Sequence, residues 1–184
     1  GLVGSEMCIR DRPEVQFRIA HTDDAILVHY KVKEASVRAV AAGDNGAVWE
    51  DACVEFFSIP AGDGIYYNVE CNCAGILLIG AGAGRENREH APQEVMDKVQ
   101  RWSSLGRQSF EERVGECNWE LALVIPYSAF FKHQITSLDG KTVRANFYKC
   151  GDKLQTPHFL SWNPIALEKP NFHCPEFFGT LNFE

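Results

Sequence analysis

Two runs rich in β-branched and aromatic residues, ACVEFFSI (52–59) and IYYNVECN (65–72), flank the stretch PAGDG (60–64). Pro60 ends the first run because it has no amide to give a central strand, and Gly62 and Gly64 supply the backbone freedom of a tight reversal. This is the signature of an antiparallel hairpin. A lone hairpin is barely stable in water, so other strands have to cover it. The sequence offers them at 25–33 (AILVHYKVK), 36–41, 74–79, 119–125 (WELALVI), 142–150 (TVRANFYKC) and 177–183 (FFGTLNF). Turn clusters at 43–46 (GDNG) and at Asp139-Gly140 punctuate them. Helical spacing shows only at 92–101, where Val95, Val99 and Trp102 share a side. The expectation is about eight or nine short strands with at most one or two short helices: an all-β, jelly-roll-like antiparallel sandwich.

A chain of 184 residues suits one domain. Residues 1–12, GLVGSEMCIRDR, follow neither apolar period and resemble a translated sequencing-adapter read-through, which leaves 13–184 as a single domain. The expected compartment is the cytoplasm if the cysteines are free thiols, and the periplasm or exterior if a leader was lost. The formal net charge of −7 argues against a nucleic-acid partner and against docking on an anionic membrane. No apolar run is long enough to span a bilayer. The seven cysteines, Cys8, Cys53, Cys71, Cys73, Cys117, Cys150 and Cys174, include no CxxC pair. Free thiols used as small apolar residues are the expectation, with disulfides as the alternative.

No G-x-S-x-G, HExxH or P-loop occurs, and the glycine-rich stretch 80–84 lacks the Lys-Ser/Thr of a phosphate cradle. Four segments hold aromatic and polar residues together. In WEDACVEFF (49–57), a strand places Trp49, Asp51, Cys53, Glu55 and Phe57 on one face. In NFYKCGD (146–152), Asn146, Tyr148 and Cys150 share a face. PHFLSWNP (157–164) sets Trp162 just before a loop, and GRENR (84–88) offers two guanidiniums and an amide. A pyranose has an apolar C–H face that packs on an aromatic ring and hydroxyls that want fixed donors and acceptors. Aromatic walls with a few polar anchors provide both.

Taken in order, VWEDACVEFF (48–57), YYNVECNCAG (66–75), WELALVIPYSAF (119–130), RANFYKCGD (144–152), PHFLSWNPI (157–165) and FHCPEFFGTLNF (172–183) resemble the family 9 carbohydrate-binding modules. The resemblance implies a β-sandwich that binds a mono- or oligosaccharide, often at a chain end, without cutting it. It implies two tryptophans gripping the sugar, here Trp49 and Trp162, with hydrogen bonds from Glu55, Arg85 and Asn87. Structural calcium is known in the family and stays open here. The expected partner is a saccharide.

Each residue has a plainer reading. Trp49 and Trp162 can be core or packing residues, and Trp102 and Trp119 are read so. Glu55 can pair with Arg144. Arg85 and Asn87 can be a solvated loop. His158, His173 and Cys174 raise zinc, and Asp152 with Glu176 raises a carboxylate pair for hydrolysis. The functional alternatives are a hydrolase or lyase using Glu55 with Asp51 or His158, and a haem-binding sandwich with Met7 or Met96 as ligand.

Overall fold

The computed structural model describes residues 12–184; Met7, Cys8 and all of the expected leader but Arg12 lie outside them. Antiparallel strands form two sheets. The four-stranded sheet holds β1 (Glu14–His21), β2 (Ala25–Ala39), β7 (Gln100–Ser103) and β8 (Phe110–Pro126) in the order β1-β2-β8-β7. The seven-stranded sheet holds β3 (Cys53–Ile59), β4 (Tyr66–Asn72), β5 (Leu77–Gly82), β6 (Glu89–His90), β9 (Thr142–Cys150), β10 (Phe159–Ser161) and β11 (Gly179–Asn182). Its order is β10-β9-β3-β4-β5-β6, with β11 also paired to β9. One helical turn, α1 (Gln93–Met96), and three 3-10 turns complete it. The expected all-β antiparallel sandwich is what forms. No described helix is long and apolar enough to cross a membrane.

The expected hairpin is present, with β3 and β4 in register from Cys53↔Asn72 to Ser58↔Tyr67. Elsewhere local chemistry moves the boundaries. Segments 25–33 and 36–41 merge into β2, because irregularities between Glu34 and Ser36 and between Val37 and Ala39 let one strand bend along β8 rather than end. The strand expected at 74–79 starts at Leu77. The Asn72 carboxamide oxygen accepts the amides of Ala74 (3.1 Å) and Ile76 (2.9 Å) and holds the intervening residues as a turn. The helix expected over 92–101 stops after Met96. Arg101 instead forks onto Asp44 at 2.6 and 2.7 Å, and residues 100–103 pair with β8. Sequence periodicity missed β1, β6, β7 and β10.

Alternation along the strands divides two burial regions. Inward-facing Tyr30, Val32, Val54, Phe56, Val69, Trp119, Leu121 and Phe147 fill the space between the sheets. Within it Lys149 on β9 is wholly buried with its Nζ 2.9 Å from Glu34 on β2. Trp119 donates its indole N–H to the same carboxylate at 2.7 Å. Lys149 also donates to His158 Nε2 at 2.7 Å. This network ties one sheet to the other. On the outer face of the seven-stranded sheet a second set, Phe57, Tyr66, Tyr148 and Phe178, packs under the C-terminal loop. That is why β3 and β4 are buried on both faces. The six described cysteines are unpaired, five of them buried.

Candidate functional site

A cavity of about 370 Å³ opens on this outer face, a size suited to a small ligand. Its floor is the outward row of the central strands. Glu55 on β3 and Glu70 on β4 are register partners, and Asn68, Leu78 and Cys150 extend the row. One wall is Trp49, 40% exposed, in the 3-10 turn Val48–Glu50. Backbone bonds clamp this turn to the end of β9. The Trp49 carbonyl accepts the Asp152 amide, and the Glu50 carbonyl accepts that of Lys153, both at 3.1 Å. Trp49 is therefore presented by a turn, not by the strand that reading 49–57 as one strand implied. The inward–outward alternation starts only at Cys53.

Phe159, Phe172, Asn171 and His173 line the cavity from the segments after β9. Phe172 is fixed by stacking on Tyr148, with centroids 4.1 Å apart and an 8° interplanar angle. The Tyr148 hydroxyl donates to the Phe172 carbonyl at 3.1 Å. His173 hydrogen-bonds the Tyr66 hydroxyl through Nδ1 at 2.8 Å, and burial lowers its pKa to about 4.

The 82–90 loop supplies two guanidiniums. Arg88 donates from Nε and Nη2 to Asn68 Oδ1 (3.0 and 2.6 Å), from Nη2 to the Tyr66 carbonyl (2.9 Å) and from Nη1 to the Gly84 carbonyl (2.8 Å). It also lies 4.0 Å above the Tyr66 ring. The glycine-rich stretch makes this possible, since a Cβ on Gly80 would stand 2.6 Å from Asn68 Oδ1. Arg85 is exposed and, among the described residues, makes no ion pair.

The floor carboxyls resist ionisation. Burial pushes Glu70 up to about 7, against the pull of the Asn68 amide (2.8 Å) and Arg88. Burial also drives Glu55 well above the carboxylate range, with the Cys150 thiol and Glu70 adding to it. Asp152, which lines the rim, is raised by burial and by Glu50. Protonated or half-protonated carboxyls facing a cavity both donate and accept, which suits hydroxylic ligands.

Of the five residues expected from sequence, the fold brings Trp49, Glu55 and Arg85 into this cavity. Two do not line it. Trp162 turns toward the core, edge-on to Phe17 (6.1 Å) and Phe147 (5.9 Å). It occupies space that a Cβ on Gly179 would take, 2.8 Å from the ring. Asn87 is exposed on the loop with φ 55°, a left-handed backbone that Asn tolerates, and it serves the turn. Trp119 is buried as expected, while Trp102 is 54% exposed. Glu70, Asn68, Phe159 and Phe172 were missed, and Arg88, the second guanidinium of the GRENR segment, was not singled out. Glu70 was within reach, since the hairpin register sets it opposite Glu55.

Arg144 donates to the carbonyls of Pro175, Glu176 and Phe178 and not to Glu55. Asp51 is sealed, accepting the amides of Val40 and Ala41 and the Asn72 amide group. With His158 turned inward against Lys149, neither can join Glu55 at a shared reaction centre. Asp152 lines the cavity and Glu176 does not. His158 and His173 are engaged separately, against Lys149 and Tyr66. Met96 is wholly buried in the core, closed to a haem. The group of potential ligands found among the described residues, Cys53, Glu55 and Cys150, is too thiol-rich for calcium.

The sequence profile of carbohydrate-binding family 9 matches residues 8–183. A crystal structure of a protein from Bacteroides uniformis, assigned there to carbohydrate binding, is 72% identical. The match spans 94% of this chain and 79% of that one, with a TM-score of 0.92. A family 9 module from Caldicellulosiruptor kristjanssonii, solved with glucose, is 10% identical with a TM-score of 0.59, over 98% of this chain and 80% of that one. The same kind of module with cellotriose is 11% identical, also at 0.59, over 98% and 78%. At that identity the likeness is one of fold. No curated protein matches the chain.

Proposed function

The chain belongs to carbohydrate-binding family 9, and from that premise we propose that it binds a mono- or oligosaccharide in the cavity on its seven-stranded sheet. Members of the family bind carbohydrate and do not cut it. One observation carries the choice of site: a solvent-open indole, Trp49, stands over two buried carboxyls, Glu55 and Glu70, in a cavity that also holds a free guanidinium, Arg85.

In this reading the C–H face of one pyranose packs on Trp49, and Phe172, held by Tyr148, is the second aromatic surface. That role passes from Trp162 to Phe172 because, of the two, Phe172 lines the cavity and Trp162 does not. Glu55 and Glu70 meet the hydroxyls from below, and Arg85 meets them from the loop. Arg88 is a positioning residue, since its donors are spent on Asn68 and the backbone. The Phe172 ring, the Trp49 backbone and the floor are held before the sugar arrives, which limits the ordering entropy lost. The contact area is small, and affinity in the micromolar to millimolar range follows.

Calorimetric titration with glucose, xylose, cellobiose, xylobiose and cellotriose tests this. Glucose and cellotriose come first, because the family 9 modules of like fold were solved with them. Saturable heat with at least one sugar, lost in Trp49→Ala, supports the reading. No heat with any sugar, or unchanged affinity in Trp49→Ala, refutes it.

A further inference from the structure

We propose that the thiols of Cys53 and Cys150 and the carboxylate of Glu55 form a binding site for a soft divalent cation such as zinc. Cys53 and Cys150 are register partners on β3 and β9. Residues paired this way project to the same side of a sheet with Cβ atoms about 5 Å apart. Glu55, two residues beyond Cys53, points to that side as well. The sheet itself therefore gathers the three groups.

Their donor atoms all lie within 4.8 Å of one another, and Cys150 Sγ is 3.0 Å from Glu55 Oε1. Tetrahedral zinc, with bonds of about 2.3 Å to sulfur and 2.0 Å to oxygen, spaces its ligands about 3.5 Å apart. Separations of up to 4.8 Å are wider than that, so the three groups would draw together onto an ion. Two thiols favour zinc or cadmium over calcium or magnesium, which prefer oxygen ligands.

A second observation points the same way. Glu55 is 2% exposed, and its one described hydrogen bond comes from the neutral Cys150 thiol. Lys149, beside it on β9, faces inward to Glu34, and Arg88 is spent on Asn68 and backbone carbonyls. No lysine or arginine among the described residues competes for this carboxyl, so a bound cation would be the partner of its ionised form. Glu55 and Cys150 also line the cavity, which gives an ion a path in and leaves a coordination position open to it. Glu55 is shared with the proposed sugar site, so the two are read separately: metal binding by its sulfur absorption, and sugar binding by the titration heat of the metal-free protein.

Cadmium chloride and zinc chloride, each added to the reduced protein in a phosphine reductant, test it. One cadmium per chain should produce the ultraviolet absorption of sulfur-to-metal charge transfer, with affinity falling at least tenfold in Cys53→Ala, Cys150→Ala and Glu55→Gln. Cys71→Ala should change nothing. No absorption, or absorption undiminished in the two cysteine variants, overturns the proposal. Should a variant fail to fold, an anomalous difference map at the zinc edge from wild-type crystals decides. A peak among Cys53, Glu55 and Cys150 supports the site, and a peak elsewhere or none overturns it.

Discussion

Glu55 on β3 and Glu70 on β4 stand directly opposite one another, both buried, on the floor of one cavity. Two carboxyls in that relation cannot both ionise cheaply, and burial holds Glu70 near 7. The folded protein thus keeps a proton that the unfolded chain gives up near the ordinary 4.5. Folding takes up that proton between pH 4.5 and 7, so this group's contribution makes stability fall as pH rises through the window and level off above it. Glu70→Gln should remove that slope, gaining on the order of 3 kcal/mol relative to wild type between pH 4.5 and 8. Urea denaturation at a series of pH values measures it; a parallel pH profile in the variant would contradict it.

The two expected tryptophans should behave oppositely. Trp49 is half-exposed at the cavity, so Trp49→Ala should weaken sugar binding at least tenfold, about 1.4 kcal/mol, and leave the melting temperature within a few degrees. Trp162→Ala should cost about 2–4 kcal/mol of stability through lost packing on Phe17 and Phe147. Its sugar affinity should stay within twofold. Thermal melts beside titrations separate the two effects.

Arg88 braces the loop that carries Arg85. Arg88→Ala leaves Asn68 Oδ1 and the Gly84 carbonyl without their donor. Sugar affinity should fall several-fold and stability by about 1–3 kcal/mol. Amide exchange should quicken across residues 82–90 while β9 is unchanged. Slow exchange retained in that loop would refute the bracing role.

Lys149 and Glu34 form the ionic tie between the sheets. Lys149→Met leaves Glu34 buried with the Trp119 indole and a neutral His158 ring 3.7 Å away, and no cation, at a cost of about 3–5 kcal/mol. Adding Glu34→Gln should return part of that loss. A double variant no more stable than the single one would show that the charge is not the cause.

How much of this could be read without coordinates depended on how local the cause was. The β3–β4 hairpin and β9 follow from residues that carry their own pattern and punctuation. Trp49 and Glu55 were found together because they lie six positions apart in one segment. Glu70 was overlooked because the hairpin was read as scaffold, although its register already set Glu70 against Glu55. Phe159 and Phe172 sit in segments with little or no period, and nothing near Phe172 in sequence announces the Tyr148 ring that fixes it. Trp162 went astray for a tertiary reason. The space its ring fills is made by a missing Cβ at Gly179, on another strand. Cys53 and Cys150 looked like scattered thiols until the β3–β9 register set them side by side.

The most direct measurement is a crystal structure of the chain grown or soaked with glucose or cellotriose. A pyranose ring should lie against Trp49 and beside Phe172, with hydroxyls within hydrogen-bond distance of Glu55, Glu70 or Arg85. A sugar ordered against Trp162, or anywhere else while this cavity stays free of it, would contradict the account.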